Sequence, residues 1–165
     1  KAHRNEDATY PDSSHFICNR MRFVGAGGTP IGIEDVGGNH HYIVNECEFQ
    51  TLTSAIVCTS TSIAVPLRNV IQDCLFRANT NDIKSSLSYS LIQRNKFFTA
   101  GSGATNKVVS TVANAGQGNL NQILLNQFNN TETQIAPGRG YSGAADDVWM
   151  NYVTDQAALA FGQPA

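Results

Sequence analysis

Charge is in short supply in this chain. Lys, Arg, Asp and Glu together make up 15% of its 165 residues, against about a quarter in an ordinary globular protein. The formal net charge is −2, and no Lys/Arg cluster or stripe is present. A nucleic-acid partner leaves a basic footprint, so none is expected. No apolar run approaches the roughly 18 residues of a membrane-spanning helix, so no membrane partner is expected either. No signal peptide is legible. The sequence begins at Lys1 rather than Met, as a processed product or a piece of a longer protein would. Ala/Leu/Glu/Lys-rich amphipathic stretches are missing too, which argues against long helices. The four cysteines, Cys18, Cys47, Cys58 and Cys74, include no CxxC pair. Tetrahedral zinc sites draw on closely spaced thiolates. No metal or other cofactor is therefore expected, and the thiols read as free and buried.

What is there is a turn-rich, strand-rich palette. The hydrophobic share is 41%, which at such low charge rules out disorder by composition. Asn alone occurs 16 times and Gly 14 times, residues of turns rather than helices. The length suits one domain.

A phrase recurs along the chain. Aligned on an aromatic residue, it gives Phe23, Phe49, Phe76, Phe97, Phe128 and Tyr152, at intervals of 26, 27, 21, 31 and 24 residues. Five positions before these stand Cys18, Val44, Ile71, Ile92 and Ile123, with Asp147 at the last copy. Two positions before stand Met21, Cys47, Cys74, Asn95, Asn126 and Met150. Seven or eight positions after come Ile31, Ile56, Ile83, Ile135 and Leu159. The fourth copy departs, and its next apolar pulse is Val108-Val109.

A period of 20–50 residues signals a stacked array. Helical arrays need two amphipathic helices per repeat, which these short pulses cannot supply. Short strands joined by turns of variable length fit an all-β fold, a parallel β-helix of about six coils. On this reading the Phe and the Ile lie on two sheets of one coil. Each stacks on its equivalent in the next coil, ~4.8 Å away. Asn is expected at the bends, because it tolerates the left-handed conformation. The core stack is then Phe23, Phe49, Phe76, Phe97, Phe128, Tyr152, Ile56, Ile83 and Ile135.

Strands are expected at 15–23, 42–49, 69–76, 89–98, 121–128 and 147–153. A second set is expected near 31–34, 55–58, 82–85, 107–112 and 133–136. The five prolines fall in turns or ends, as strand pairing demands. Residues 1–14 lack the phrase and read as an arm or cap outside the array. Residues 15–153 are the array, and 154–165 read as a C-terminal cap.

This coil phrase resembles the right-handed parallel β-helix superfamily, which includes pectin-degrading enzymes and many bacteriophage tailspikes, fibres and other virion proteins. The resemblance spans about residues 15–160. The polar strands and the ending VWMNYVTDQAALAFGQPA are most similar to phage structural proteins.

The resemblance also says where chemistry would lie. The pectin-hydrolase branch uses Asn-Thr-Asp followed by Asp-Asp one coil later. Asn79-Thr80-Asn81-Asp82 approximates the first, and Asp146-Asp147 offers a pair. The acid is displaced by one residue, which turns it to the other face of a strand. The two segments are also about three coils, or ~14 Å, apart, whereas inverting glycosidases hold their carboxyls ~6.5–9.5 Å apart. Asp82, Asp146 and Asp147 are thus weak catalytic candidates, each read as a turn residue.

Other motifs read plainly. His40-His41 would point to opposite faces of a strand and reads as a loop pair. Glu34-Asp35 lacks calcium-loop spacing. GAGG at 25–28 and GSGA at 101–104 open no helix, so they are turns rather than phosphate cradles. Asn129-Asn130-Thr131 is a glycosylation sequon only in a secreted eukaryotic setting. Cys47 and Cys74 share a stack position, where side chains run parallel rather than face to face.

Together these readings predict a non-enzymatic structural component of a bacteriophage virion, a capsid decoration or fibre-type part assembled in the host cytoplasm. Its expected partners are two further copies in a homo-trimer and other virion proteins of capsid or tail. The competing expectation is a tailspike-like domain that binds or cleaves a host-surface glycan. Uncharged outward residues, among them Ser86, Ser88, Gln93, Gln122, Gln127, Tyr141 and Trp149, suit an interface.

Overall fold

The computed structural model describes residues 3–5, 15–36, 41–59, 68–85, 90–98, 109–111, 121–128, 135–136 and 147–153. Among them are eighteen strands and no helix. In chain order these are β1 (His3–Asn5), β2 (His15–Asn19), β3 (Arg22–Val24), β4 (Ile31–Val36), β5 (His41–Asn45) and β6 (Glu48–Gln50). Then come β7 (Ser54–Thr59), β8 (Val70–Gln72), β9 (Leu75–Arg77), β10 (Asn81–Ser85), β11 (Leu91–Gln93) and β12 (Lys96–Phe98). Last are β13 (Val109–Thr111), β14 (Gln122–Leu124), β15 (Gln127–Phe128), β16 (Ile135–Ala136), β17 (Asp147–Trp149) and β18 (Tyr152–Val153).

They form three six-stranded sheets. Sheet A runs β1-β4-β7-β10-β13-β16, sheet B β2-β5-β8-β11-β14-β17, and sheet C β3-β6-β9-β12-β15-β18. Every pairing is parallel and joins a strand to the one three places further along the chain.

Three sheets replace the two expected from the sequence. Each segment expected as one strand is broken by a residue in the left-handed region. Arg20, Glu46, Asp73, Arg94, Leu125 and Met150 all have φ between 52° and 57° and separate a sheet B strand from a sheet C strand. None of these is Asn. The bends were expected to carry Asn in the left-handed conformation; instead Asn directly follows the left-handed residue at Arg68, Ala78, Arg94, Leu125 and Met150. Cys47 and Cys74 take that place after the left-handed Glu46 and Asp73.

The core is built of columns. Phe23, Phe49, Phe76, Phe97 and Phe128 are buried, their rings stacked with centroids 4.8, 5.0, 4.7 and 4.9 Å apart. Cys18, Val44, Ile71, Ile92 and Ile123 form a second buried column on sheet B. Ile33, Ile56, Ile83, Val109 and Ile135 align on sheet A.

Four corrections follow from register. Tyr152 does not continue the Phe column: it pairs with Gln127 and is 50% exposed, while Val153 pairs with Phe128. Likewise Val148, not Asp147, continues the sheet B column over Ile123. Aligning the last copy on an aromatic residue slips it by one position, and a one-residue slip turns a side chain to the opposite face. Ile31 pairs with Ser54, and Ile33 takes the place assigned to Ile31. Within residues 1–14, His3–Asn5 joins sheet A as a parallel partner of Ile33–Asp35, so this part of the segment does not stay outside the array. Leu159 and residues 154–165 lie outside the described residues.

Candidate functional site

The acids singled out by sequence do not meet. Asp82 lies on β10 in sheet A, not in a turn, and Asp147 lies on β17 in sheet B opposite Gln122. Asp146 falls outside the described residues. Asp82 is wholly buried, with 0% of its surface exposed. The shared register of Ile33, Ile56 and Ile83 puts Gly32, Ala55 and Asp82 at one level of successive strands. A Cβ on Gly32 would stand 2.6 Å from the Ala55 carbonyl oxygen, so no side chain fits at Gly32, whereas a carboxyl is accommodated at Asp82.

One carboxyl oxygen, Oδ1, accepts a hydrogen bond from Asn79 Nδ2 at 2.8 Å. The other, Oδ2, is buried without a partner. Burial pushes the Asp82 pKa up to about 8, against the opposing pull of the Asn79 hydrogen bond. A carboxyl desolvated this far holds its proton at neutral pH. Its carboxyl is sealed inside the sheets, away from solvent.

The corners hold most of the other buried polar groups. A left-handed residue turns the next backbone amide away from its ladder, and a buried amide needs a partner. At the corner between sheets B and C, Asn side chains of the following strand level supply it. The Cys74 amide donates to Asn95 Oδ1 at 2.9 Å, the Asn95 amide to Asn126 Oδ1 at 3.0 Å, and the Asn126 amide to Asn151 Oδ1 at 2.9 Å. The same side chains donate backwards through Nδ2: Asn95 to the Ile71 carbonyl, Asn126 to that of Ile92 and Asn151 to that of Ile123, at 2.9, 3.0 and 2.8 Å. Asn79 does both jobs at the next corner, accepting from the Leu52 amide and donating to the Phe49 carbonyl. Asn69 and Asn121 accept from Tyr42 and Ser90 amides at the third.

Cysteines take the amide's place at the start of the B–C ladder. Cys47 Sγ lies 3.5 Å from the Cys18 carbonyl oxygen, and Cys74 Sγ 3.6 Å from that of Val44. Cys47 Sγ is also 3.5 Å from Cys18 Sγ. All three thiols are free and buried. Burial, reinforced by Cys47, pushes Cys18 up to about 12. Hydrogen bonding from Cys74 draws Cys47 down to about 6, and the bond to Cys47 followed by burial raises Cys74.

Outside the same corner runs a column of changing chemistry. Arg20 pairs with Glu46 at 2.6 Å, and Arg94 with Asp73 at 2.7 Å. The Arg20 hydrogen bond holds Glu46 below the usual carboxylate range, and Arg94 does the same for Asp73. Leu125 and Met150 continue the column and are exposed, as are Trp149 and Tyr152 on the flanking strands. On the outer face of sheet B, Asn45 donates to Asn19, Gln72 to Asn45 and Gln93 to Gln72, each at 3.0 Å, forming a row of amides. Beside it Ile17 and Ile43 are exposed. Such a row is legible in the sequence as Asn19, Asn45, Gln72 and Gln93, each following the inward residue of its strand.

His41 stacks on His15, with ring centroids 5.3 Å apart. Ser86, Ser88, Tyr141 and His40 lie outside the described residues. Among the described residues, no group of three or more His, Cys, Asp or Glu is placed to hold a metal ion. No helix among them is long and apolar enough to cross a membrane. The chain matches no family model, no curated protein and no solved structure.

Proposed function

We propose that the chain is a right-handed parallel β-helix of about six coils and serves as a non-enzymatic structural component of a bacteriophage virion. The pairing of each strand with the third one along the chain, in three parallel sheets, carries this reading. An array of that kind builds one continuous core from units that cannot bury a core alone. The hand follows the rule for parallel crossovers. The interior is filled by stacked Phe and Ile, and its acid, Asp82, is sealed from solvent; both favour a mechanical role over a chemical one.

As a capsid decoration or a fibre-type column, the protein stabilises the particle or presents a surface to the host. It works as a homo-trimer contacting capsid or tail proteins. The exposed Leu125, Trp149, Met150 and Tyr152 support subunit packing, since clustered apolar side chains mark interaction surfaces. Light scattering on purified protein should report three chains. Reconstruction of intact particles should show a short three-fold column on head or tail. A monomer that is also missing from purified particles would overturn the reading.

A tailspike-like domain that binds or cleaves polysaccharide is the second reading. It is favoured by the exposed rings of Trp149 and Tyr152, which offer apolar faces with a polar edge. Glycan binding or degradation that is lost in Trp149→Ala would shift the conclusion to it.

A further inference from the structure

We propose that Cys18 and Cys47 are a redox staple, joined by oxidation into a disulfide between successive levels of the sheets. Their sulfurs lie 3.5 Å apart, roughly 1.5 Å beyond a closed S–S bond. They come from different columns. Cys18 is on β2, whereas Cys47 follows the left-handed Glu46 around the corner, so the two side chains converge. Cys47 and Cys74 instead occupy equivalent places on successive levels, directly after the left-handed Glu46 and Asp73.

Where Asn stands in this ladder, it makes two or more hydrogen bonds of about 3 Å; the thiol of Cys47 instead lies 3.3 Å from the Asn45 carbonyl oxygen and 3.5 Å from that of Cys18, besides its contact with the Cys18 sulfur. A thiol is a weak donor, so little is lost when its proton leaves.

The oxidant is a low-molecular-weight disulfide such as oxidised glutathione. The Cys47 thiolate attacks one sulfur of the oxidant, expels one glutathione thiolate and becomes a mixed disulfide. Cys18 loses its proton, its thiolate attacks the Cys47 sulfur, and the second glutathione thiolate leaves. Two electrons pass from the cysteine sulfurs to glutathione disulfide, and the two thiol protons end on the two glutathione thiols. Both cysteines are buried, so exchange proceeds during folding or through local opening of the first strands.

The test is refolding of the full chain through glutathione buffers of graded redox ratio, followed by acid quenching, alkylation and peptide mass mapping. Trypsin with a Glu-specific protease separates Cys18, Cys47, Cys58 and Cys74 onto different peptides, because Arg20, Glu46, Glu48 and Arg68 lie between them. The expected product has lost two hydrogens, links the Cys18 and Cys47 peptides, and leaves Cys74 alkylated. It should form at a glutathione ratio at least roughly tenfold more reducing than the same link requires in denaturant, because folding holds the sulfurs together. Closing this loop should raise the melting temperature by about 10 °C, reversed by reductant. Cys74→Ser should keep the link and Cys18→Ser should lose it. A dominant Cys47–Cys74 or Cys58 link overturns the proposal. So does a mixed disulfide that persists on Cys47, or a folded protein that stays reduced where the denatured chain crosslinks.

Discussion

Asp82 is the residue whose environment departs furthest from what its neighbours in sequence suggest. In a polar run between Asn81 and Ile83 it reads as a turn acid, yet it is buried with one oxygen unpartnered. Its pKa, near 4 in an unfolded chain, rises to about 8 in the fold because of burial. Between those values the folded chain binds more protons than the unfolded one, so stability falls as pH rises through the window. Urea titrations should show stability declining by a few kcal/mol from pH 4 to pH 8. Asp82→Asn keeps an acceptor for Asn79 and should remove this slope; an unchanged slope would place the titrating group elsewhere. The left-handed corners make a second residue-scale claim. Ala78 is exposed at φ 50°, a conformation that costs an L-residue roughly 1–2 kcal/mol. Ala78→Gly should therefore raise stability by about 0.5–1 kcal/mol after the entropy of glycine is subtracted, whereas the same change within a strand lowers it. The denaturant midpoint decides the sign.

At the scale of elements, strands of two to six residues gain their order from the levels above and below. The Phe column shows this best. Phe76 is buried between Phe49 and Phe97, with centroids 5.0 and 4.7 Å away. Phe76→Ala should cost about 3–5 kcal/mol through lost burial and a cavity that flanking strands cannot close. Chemical denaturation measures it, and a cost below about 1 kcal/mol would mean the column is not the core. The corner ladders are the polar counterpart of the Phe column. Cys47, Cys74, Asn95, Asn126 and Asn151 are one structural position, although two residue types fill it. The first four of these are legible in the sequence, two positions before the aromatic residue of each copy. Asn151 is hidden because Tyr152 resembles the column's Phe residues, whereas Val153 is the residue in register with Phe128.

For the whole molecule, contacts run between successive levels of each sheet, so stability in the proposed β-helix is close to a nearest-neighbour sum. Removing residues 147–165 should lower the melting temperature by a limited amount and leave the far-UV strand signal of the remainder. Complete unfolding on this trim would point instead to one indivisible core.

The sequence by itself determined that the chain is all-β, that its copies stack, and which residues face inward on most strands. Those features are local: inward and outward positions alternate along a strand, and spacing between copies is readable without any partner. Tertiary structure alone decided the third sheet, the burial of Asp82 and the convergence of the Cys18 and Cys47 sulfurs. The left-handed residues at the B–C corner are Arg, Glu, Asp, Arg, Leu and Met, types with no intrinsic preference for that conformation as a set. What holds them there is non-local. Backbone hydrogen bonds to the next level continue around the bend, such as Asp73 N to Gln93 O and Arg94 N to Leu124 O, and Asn side chains from the next level satisfy the amides the bend turns inward. A corner that exists only because the level beside it supplies its partners leaves no mark on the residue that makes the turn.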